Sequence, residues 1–403
     1  MTGRGTHRSR SKFKYTIAAV LALAVLGQAL LVLIGEVAPD LVRFTGIGPK
    51  IAPDTRGYLN AAAMLPEIEA EWWGKILYVF LLRLGMVLGS AEWFAVLAQF
   101  LLAWSAGVAL VNLGHRINHP SAGWISAAVW LLNPQTAQWT SAVLTDSAFM
   151  SMMVLALWAS HRAIREPSRW AAAFTWAVLV ALIRPNGILA VASVGALRAW
   201  ARGVDRRPTR SSLLLRSCAT VAIASVVLLV LGLSPAHRSG TGGPADHPLE
   251  RLVAGEVVWG EEDWSRTMPP AADDERSLPA LVRYAASVPL ETLDVGIRRI
   301  GVEFIQVRPH YPRPVNVLVG GTMLAYLAAA VLGALTPAGR TLRRPVAMLV
   351  IPMLAGIGAT WASPEGRFGW AFLVLLAPWV GIGLDRSTAW FRGPRQAPRS
   401  ARR

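Results

Sequence analysis

Residues 16–34 read Thr-Ile-Ala-Ala-Val-Leu-Ala-Leu-Ala-Val-Leu-Gly-Gln-Ala-Leu-Leu-Val-Leu-Ile, an apolar run without a single charge. As a helix rising 1.5 Å per residue it covers roughly 28 Å, close to the ~30 Å hydrocarbon core of a bilayer. The basic tail Arg4, Arg8, Arg10, Lys12 and Lys14 precedes it. A signal peptide has the same order of regions, but its apolar core is shorter and a small-residue cleavage site follows. No good Ala-x-Ala site appears here, so the run is expected to be an uncleaved span with its N-terminus inside.

Composition extends that reading to the whole chain. Of 403 residues, 54% are hydrophobic and only 16% are charged, against about 25% charged in a soluble protein. Apolar runs recur at Trp93–Leu113, Ser121–Trp139, Ser147–Ile164, Trp170–Ile183, Ile188–Trp200, Leu213–Leu233, Val315–Leu335, Val346–Trp361 and Phe368–Leu384. The expected fold is all-α, a polytopic membrane bundle of about ten transmembrane helices with outer-face amphipathic helices. The net charge of +16 fits Lys and Arg at cytoplasmic helix ends better than a nucleic-acid partner. The single cysteine, Cys218, rules out an intrachain disulfide.

Ile76–Leu88 is apolar but carries Arg83 and would span only about 20 Å. It is therefore expected to lie on the outer face as an amphipathic or re-entrant helix. That choice places Arg162/Arg165/Arg169, Arg202/Arg206/Arg207/Arg210 and Arg340/Arg343/Arg344 inside, as the positive-inside rule demands. Counting Ile76–Leu88 as a span would move all three clusters outside.

The same topology divides the chain into a basic cytoplasmic tail (1–15), an N-terminal transmembrane module (16–233) that includes a first outer loop (35–92), one large extracytoplasmic loop (234–314), a C-terminal transmembrane module (315–384) and a second basic cytoplasmic tail (385–403). A helix is expected from Arg56 to Glu71 and a continuous helical pattern from Leu278 to Val307. The site of action is expected outside a plasma membrane, with both termini in the cytoplasm.

Five polar clusters fall on that outer side. Pro53-Asp54-Thr55-Arg56-Gly57-Tyr58 places a carboxylate at the mouth of the bundle, where it can take a proton from a sugar hydroxyl. The plainer reading is that Asp54 caps the following helix. Leu144-Thr145-Asp146 opens another helix, where capping is again the plainer role and a substrate hydroxyl the functional one. Arg184-Pro185-Asn186-Gly187 interrupts an apolar stretch, and a guanidinium there suits phosphate oxygens. It could instead snorkel to headgroups. Arg308-Pro309-His310-Tyr311 ends the large loop, and Glu365-Gly366-Arg367-Phe368 forms the last outer turn. Glu365 and Arg367 could simply pair, or Arg367 could neutralise a leaving group. His310 has no partner histidine at a metal-ligand spacing.

The order Pro-Asp-x-x-x-Tyr, Leu-Thr-Asp, Arg-Pro-Asn-Gly and Glu-x-Arg-Phe, with Pro378 inside the last helix, resembles the GT-C glycosyltransferase superfamily. It is most similar to protein mannosyltransferases and lipid A aminoarabinose transferases. The resemblance implies a polyprenyl-phosphate sugar lipid as donor, of mannose or arabinose type, and a glycan, lipid or protein acceptor. It implies Asp54 as the base, Tyr58 shaping its helix, Asp146 lining the cavity, and Arg184 or Arg367 holding the phosphate, with Asn186, Arg308 and Glu365 in the binding set. Thr55 stands where a second acid is found in members that use a metal, so neither a metal nor a cofactor is expected. A transporter or flippase of lipid-linked sugars, or a non-catalytic membrane subunit, would also place buried Arg and Asp at broken helices.

Overall fold

The computed structural model describes residues 4–37, 48–204, 248–258, 264–271, 278–308, 311–359 and 367–391. The expected span Leu213–Leu233 and the residue Glu365 lie outside them. The first half of the chain builds α1 (Arg4–Val37), α2 (Thr55–Met64), α3 (Ile76–Val87), α4 (Ala91–Arg116), α5 (Pro120–Leu131), α6 (Pro134–Ser141), α7 (Thr145–Arg165), α8 (Trp170–Ile183) and α9 (Ile188–Val204). The second half adds α10 (Pro248–Val253), α11 (Leu278–Ser287), α12 (Pro289–Ile305), α13 (Arg313–Leu335), α14 (Pro337–Arg340), α15 (Arg343–Ala359) and α16 (Arg367–Phe391). The chain is all-helical over the described residues, apart from one isolated parallel bridge between Lys50 and Ala142.

Three described helices are long and apolar enough to cross a membrane: Lys14–Val37, Ala91–Arg116 and Arg313–Leu335. Pro167–Ile183 is apolar but shorter. Large apolar side chains stay exposed along them, among them Leu33, Leu97, Val317 and Leu324. Such outward faces mark a membrane protein, whose surroundings are as apolar as its interior.

Prolines account for most departures from the expected elements. The expected span Ser121–Trp139 is two helices, because Pro134 starts a new one and the Asn133 side chain accepts from the Gln135 N–H at 2.8 Å. The pattern Leu278–Val307 likewise breaks at Pro289, the first residue of α12. The helix expected to reach Glu71 stops at Met64, since Pro66 disfavours helical geometry at Leu65 and offers no N–H. A 3₁₀ segment, Ala70–Lys75, then leads into α3.

Helix α7 is the axis of the bundle. Every side chain from Thr145 to Leu157 is buried, enclosed by α4, α8, α9 and α16. Bundles of this kind cohere by close packing, because burial from lipid gains little hydrophobic free energy. The crossing of α4 and α5 shows how close: a Cβ on Gly114 would stand 2.4 Å from the Gly123 Cα. A separate small core of Leu252, Ala280, Leu281, Tyr284 and Val295 holds α10, α11 and α12 together.

Candidate active site

The Asp54 loop is pinned to the turn that precedes Asp146. Lys50 N–H donates to the Ser141 carbonyl at 2.9 Å, and Val143 N–H donates to the Lys50 carbonyl at 2.9 Å. Thr55 adds a side-chain link, its buried Oγ1 accepting from Ala52 N–H at 2.9 Å and donating to the Val143 carbonyl at 3.0 Å. On the far side Gln99 of α4, also buried, donates to the Thr140 and Ala142 carbonyls at 3.2 and 2.8 Å. The break between α6 and α7 thus finds partners for its backbone groups, a condition for non-helical chain inside an apolar bundle.

Asp54 stands at the N-cap of α2 with φ −68° and ψ −21°, and its side chain makes no capping bond. A capping residue ordinarily adopts extended geometry so that its side chain reaches back to the helix. Asp54 is exposed, and α2 does not use its carboxylate as a cap.

One turn on, Tyr58 is buried, and its ring meets Trp72 and Tyr78 edge-on at centroid distances of 5.3 and 5.4 Å. The Lys75 ammonium sits 5.1 Å from the Tyr58 centroid and 4.9 Å from that of Trp72, within cation–π range. The 3₁₀ segment carrying Lys75 rests on the Arg184 turn so closely that a Cβ on Gly74 would meet Pro185 Cγ at 2.6 Å.

Asp146 is the second residue of α7, its side chain 3% exposed, and it accepts from Arg184 Nη1 at 2.5 Å. Arg184, placed where α8 ends, also covers the Phe149 ring at 5.6 Å. This is a largely desolvated ion pair, and a cation there demands such a partner. Asn186 is exposed in the 3₁₀ turn Pro185–Gly187 between α8 and α9. Asp54, Tyr58, Asp146, Arg184 and Asn186 therefore belong to one connected group of turns.

Arg308 belongs to a second group. It is 1% exposed; its guanidinium donates to Glu303 Oε2 at 3.4 Å and to the Val302 and Val307 carbonyls at 2.8 and 2.9 Å. Burial lowers its pKa, and the Glu303 charge opposes that shift. Glu303 Oε2 also accepts from the Gly369 N–H at 2.8 Å, so it ties α12 to the first turn of α16, which Arg367 opens. Nearby, Arg299 is fully buried and donates to the Glu256 and Gly358 carbonyls at 2.9 and 3.2 Å, and burial brings its pKa down to about 10. Among the described residues, no three His, Cys, Asp or Glu side chains gather as a metal centre.

Sequence reading did not single out Thr55, Trp72, Lys75, Tyr78, Gln99 or Glu303 as site residues. Trp72, Lys75 and Tyr78 carried a signal in their spacing of three, which aligns side chains along one side of a helical turn. No such signal marks Gln99 or Glu303, whose backbone partners lie far along the chain.

Residues 75–231 match the family model described as dolichyl-phosphate-mannose-protein mannosyltransferase. The matched segment contains Lys75, Tyr78, Asp146, Arg184 and Asn186 and begins after Asp54 and Tyr58. No curated protein matches the chain. The match supports the resemblance to GT-C glycosyltransferases carried by the ordered motifs, and it points to a membrane glycosyltransferase of the mannosyltransferase type.

Proposed function

We propose that this protein is an inverting glycosyltransferase that moves a mannose- or arabinose-type sugar from a polyprenyl-phosphate donor to a hydroxyl outside the plasma membrane. In this reading ten spans place both termini in the cytoplasm, and the Asp54, Asp146 and Arg184 turns face outward. The large loop 234–314 then separates two transmembrane modules, 16–233 and 315–384.

Asp54 takes the acceptor hydroxyl proton as the oxygen bonds to the anomeric carbon from the face opposite the phosphate. The bond between that carbon and the phosphate oxygen breaks, and the electron pair leaves with the polyprenyl phosphate. Arg184 neutralises the charge that develops there, joined by Lys75 and by Arg367 at the start of α16; a phosphate so neutralised needs no general acid. Asp146 orients Arg184, Tyr58 holds the helix behind Asp54, and Asn186 and Glu365 contact the sugar.

One observation carries this reading. An exposed carboxylate at the start of α2 is held by the Lys50 and Thr55 links beside a turn whose next charged residue is the buried Asp146, paired to Arg184. A base near the surface and a cation deeper in suit an aqueous acceptor and a lipid-borne donor. The test is transfer of radiolabel from a polyprenyl-phosphate sugar in membranes with and without the protein. Protein-dependent transfer is the expected result; lipid-linked sugar crossing the membrane without transfer would identify a flippase instead.

A further inference from the structure

Helix α12 is amphipathic with its polarity turned inside out. Its buried residues Val295, Arg299 and Glu303 lie on one side, and two of the three are charged. Arg299 donates to the Glu256 and Gly358 carbonyls at 2.9 and 3.2 Å, and Glu303 accepts from the Gly369 N–H at 2.8 Å. The opposite side carries Leu290, Leu293 and Ile297, exposed by 76%, 58% and 58%, with the half-buried Ile300 completing the row. At 3.6 residues per turn these four share one face. Between the two sides runs a strip in water, where Asp294 accepts from Arg298 at 2.9 Å and from Arg266 at 3.2 Å. A helix on the surface of a soluble domain would turn the apolar row inward instead.

The apolar row borders an open groove of about 380 Å³ at the end of α15, lined by Ala285, Pro289, Gly296, Ile300 and Gly358 among others. The two helices nearly touch there: a Cβ on Gly296 would stand 3.4 Å from the Gly358 carbonyl oxygen. A bound peptide would bring backbone groups that need partners, and Thr292 is the single polar side chain in this lining. Hydrocarbon makes no such demand.

Depth points the same way. Just after α12, Val307 lies so close to α13 that a Cβ on Gly320 would meet Val307 Cγ2 at 3.2 Å. Gly320 is about two turns, or ~10 Å, inside that helix of membrane-crossing length. Val317, Leu318 and Leu324 around it are exposed, as lipid-facing side chains are. Helix α12 thus runs from the end of α15 to a level inside α13, a height at which exposed apolar side chains meet acyl chains.

We propose that the apolar face of α12 docks into the outer leaflet of the bilayer, with phospholipid acyl chains covering Leu290, Leu293 and Ile297 and filling the groove beside Gly358. An amphipathic helix in the interface buries its apolar face about 5–10 Å into the boundary between headgroups and acyl chains. Over α12 the large loop is then a membrane-surface element. Glu303 on the same helix holds Gly369, so one rigid element joins the leaflet to the first turn of α16.

The experiment labels Leu293→Cys, Ile297→Cys and Arg298→Cys, each in a Cys218→Ser background, with an environment-sensitive fluorophore. Full-length protein is reconstituted in phosphatidylcholine vesicles, with and without a phospholipid carrying a nitroxide high on its acyl chain. Expected at Leu293→Cys and Ile297→Cys are blue-shifted emission, strong quenching by the nitroxide lipid and little by aqueous iodide, with the reverse at Arg298→Cys. Iodide quenching at Ile297→Cys equal to that at Arg298→Cys would put the face in water and overturn the proposal. Shielding from both quenchers would overturn it too, by showing that a second copy of the chain covers the face. Loss of nitroxide quenching on adding a polyprenyl monophosphate would assign the groove to that chain in place of phospholipid. Melting temperatures equal to that of the unlabelled Cys218→Ser protein establish that the three labelled variants are folded. No readout here involves sugar transfer, so failure of this proposal and failure of the transferase reading are distinguishable.

Discussion

Thr55 Oγ1 donates to the Val143 carbonyl at 3.0 Å across 88 residues of chain. That bond joins the helix that displays Asp54 to the turn that buries Asp146. Thr55 serves architecture at this position. Because the hydroxyl also accepts from Ala52 N–H, its loss leaves two backbone groups without partners in a buried setting.

Thr55→Val keeps the shape and removes the hydroxyl. The expected cost is about 1–3 kcal/mol of stability for each buried group left unpaired. Thr55→Ser should restore most of it. Thermal unfolding in detergent checks this; equal melting temperatures for wild type and Thr55→Val would remove the link from the architecture.

Arg184 requires a gentler substitution than alanine. Arg184→Ala would leave Asp146 as a buried charge without its partner, a change that costs about 3–5 kcal/mol in comparable pairs. Any loss of activity would then be confounded with unfolding. Arg184→Lys keeps the charge but loses the planar fork that suits phosphate oxygens. The expected outcome is a largely folded protein whose KM for the donor rises about ten- to a hundredfold, the worth of one charge-assisted contact. An unchanged KM would move the phosphate site to Arg367.

On the face opposite Asp54 in the proposed topology, Glu166 accepts from Arg116 at 2.9 Å and from Arg169 at 3.2 Å. The Arg116 hydrogen bond, more than the Arg169 one, lowers its pKa below the ordinary carboxylate value. A depressed acid stabilises the fold above its unfolded-state pKa, and that contribution disappears as pH falls through the lowered value. Glu166→Gln should therefore melt lower than the wild type at neutral pH, with the gap closing in strong acid. A gap independent of pH would assign the effect to packing alone.

Much of this architecture was legible in the sequence because apolar length and charge placement are one-dimensional signals. Thr16–Ile34, Trp93–Leu113 and Val315–Leu335 all fall within helices of membrane-crossing length. The breaks at Pro134 and Pro289 were equally visible as residues, but apolar content hid them. The site was less legible. Asp146 and Arg184 stood out singly, yet their pairing depends on how α7 meets the end of α8, which no local pattern encodes. Lys75 reads locally as a lone cation and becomes part of the site only once Tyr58 and Trp72 fold around it. Glu303 is hidden in an amphipathic helix, and only the approach of Gly369 reveals what it holds.

The topology has its own test, independent of chemistry. Ser239 falls in the loop expected outside, and Cys218 is the chain's natural cysteine. Ser239→Cys in a Cys218→Ser background should react with a membrane-impermeant thiol reagent in intact cells. Protection in intact cells with reaction after permeabilisation would invert the arrangement and turn Asp54 toward the cytoplasm.

Asp54→Asn separates the competing readings most sharply. Asn keeps the size and hydrogen-bonding reach of Asp, so the change should leave the melting temperature close to that of the wild type. Asn also caps about as well as Asp, so even a cap formed in another state would survive. What Asn lacks is the basicity to take a proton, and loss of a general base lowers the rate roughly 10²–10⁴-fold. Binding of a polyprenyl phosphate should persist, since the proposed phosphate ligands Arg184 and Lys75 are untouched. The expected protein is stable, binds the donor lipid and scarcely transfers sugar. A stable variant with full transfer would remove Asp54 from the mechanism and leave the base to be sought elsewhere at the mouth of the bundle.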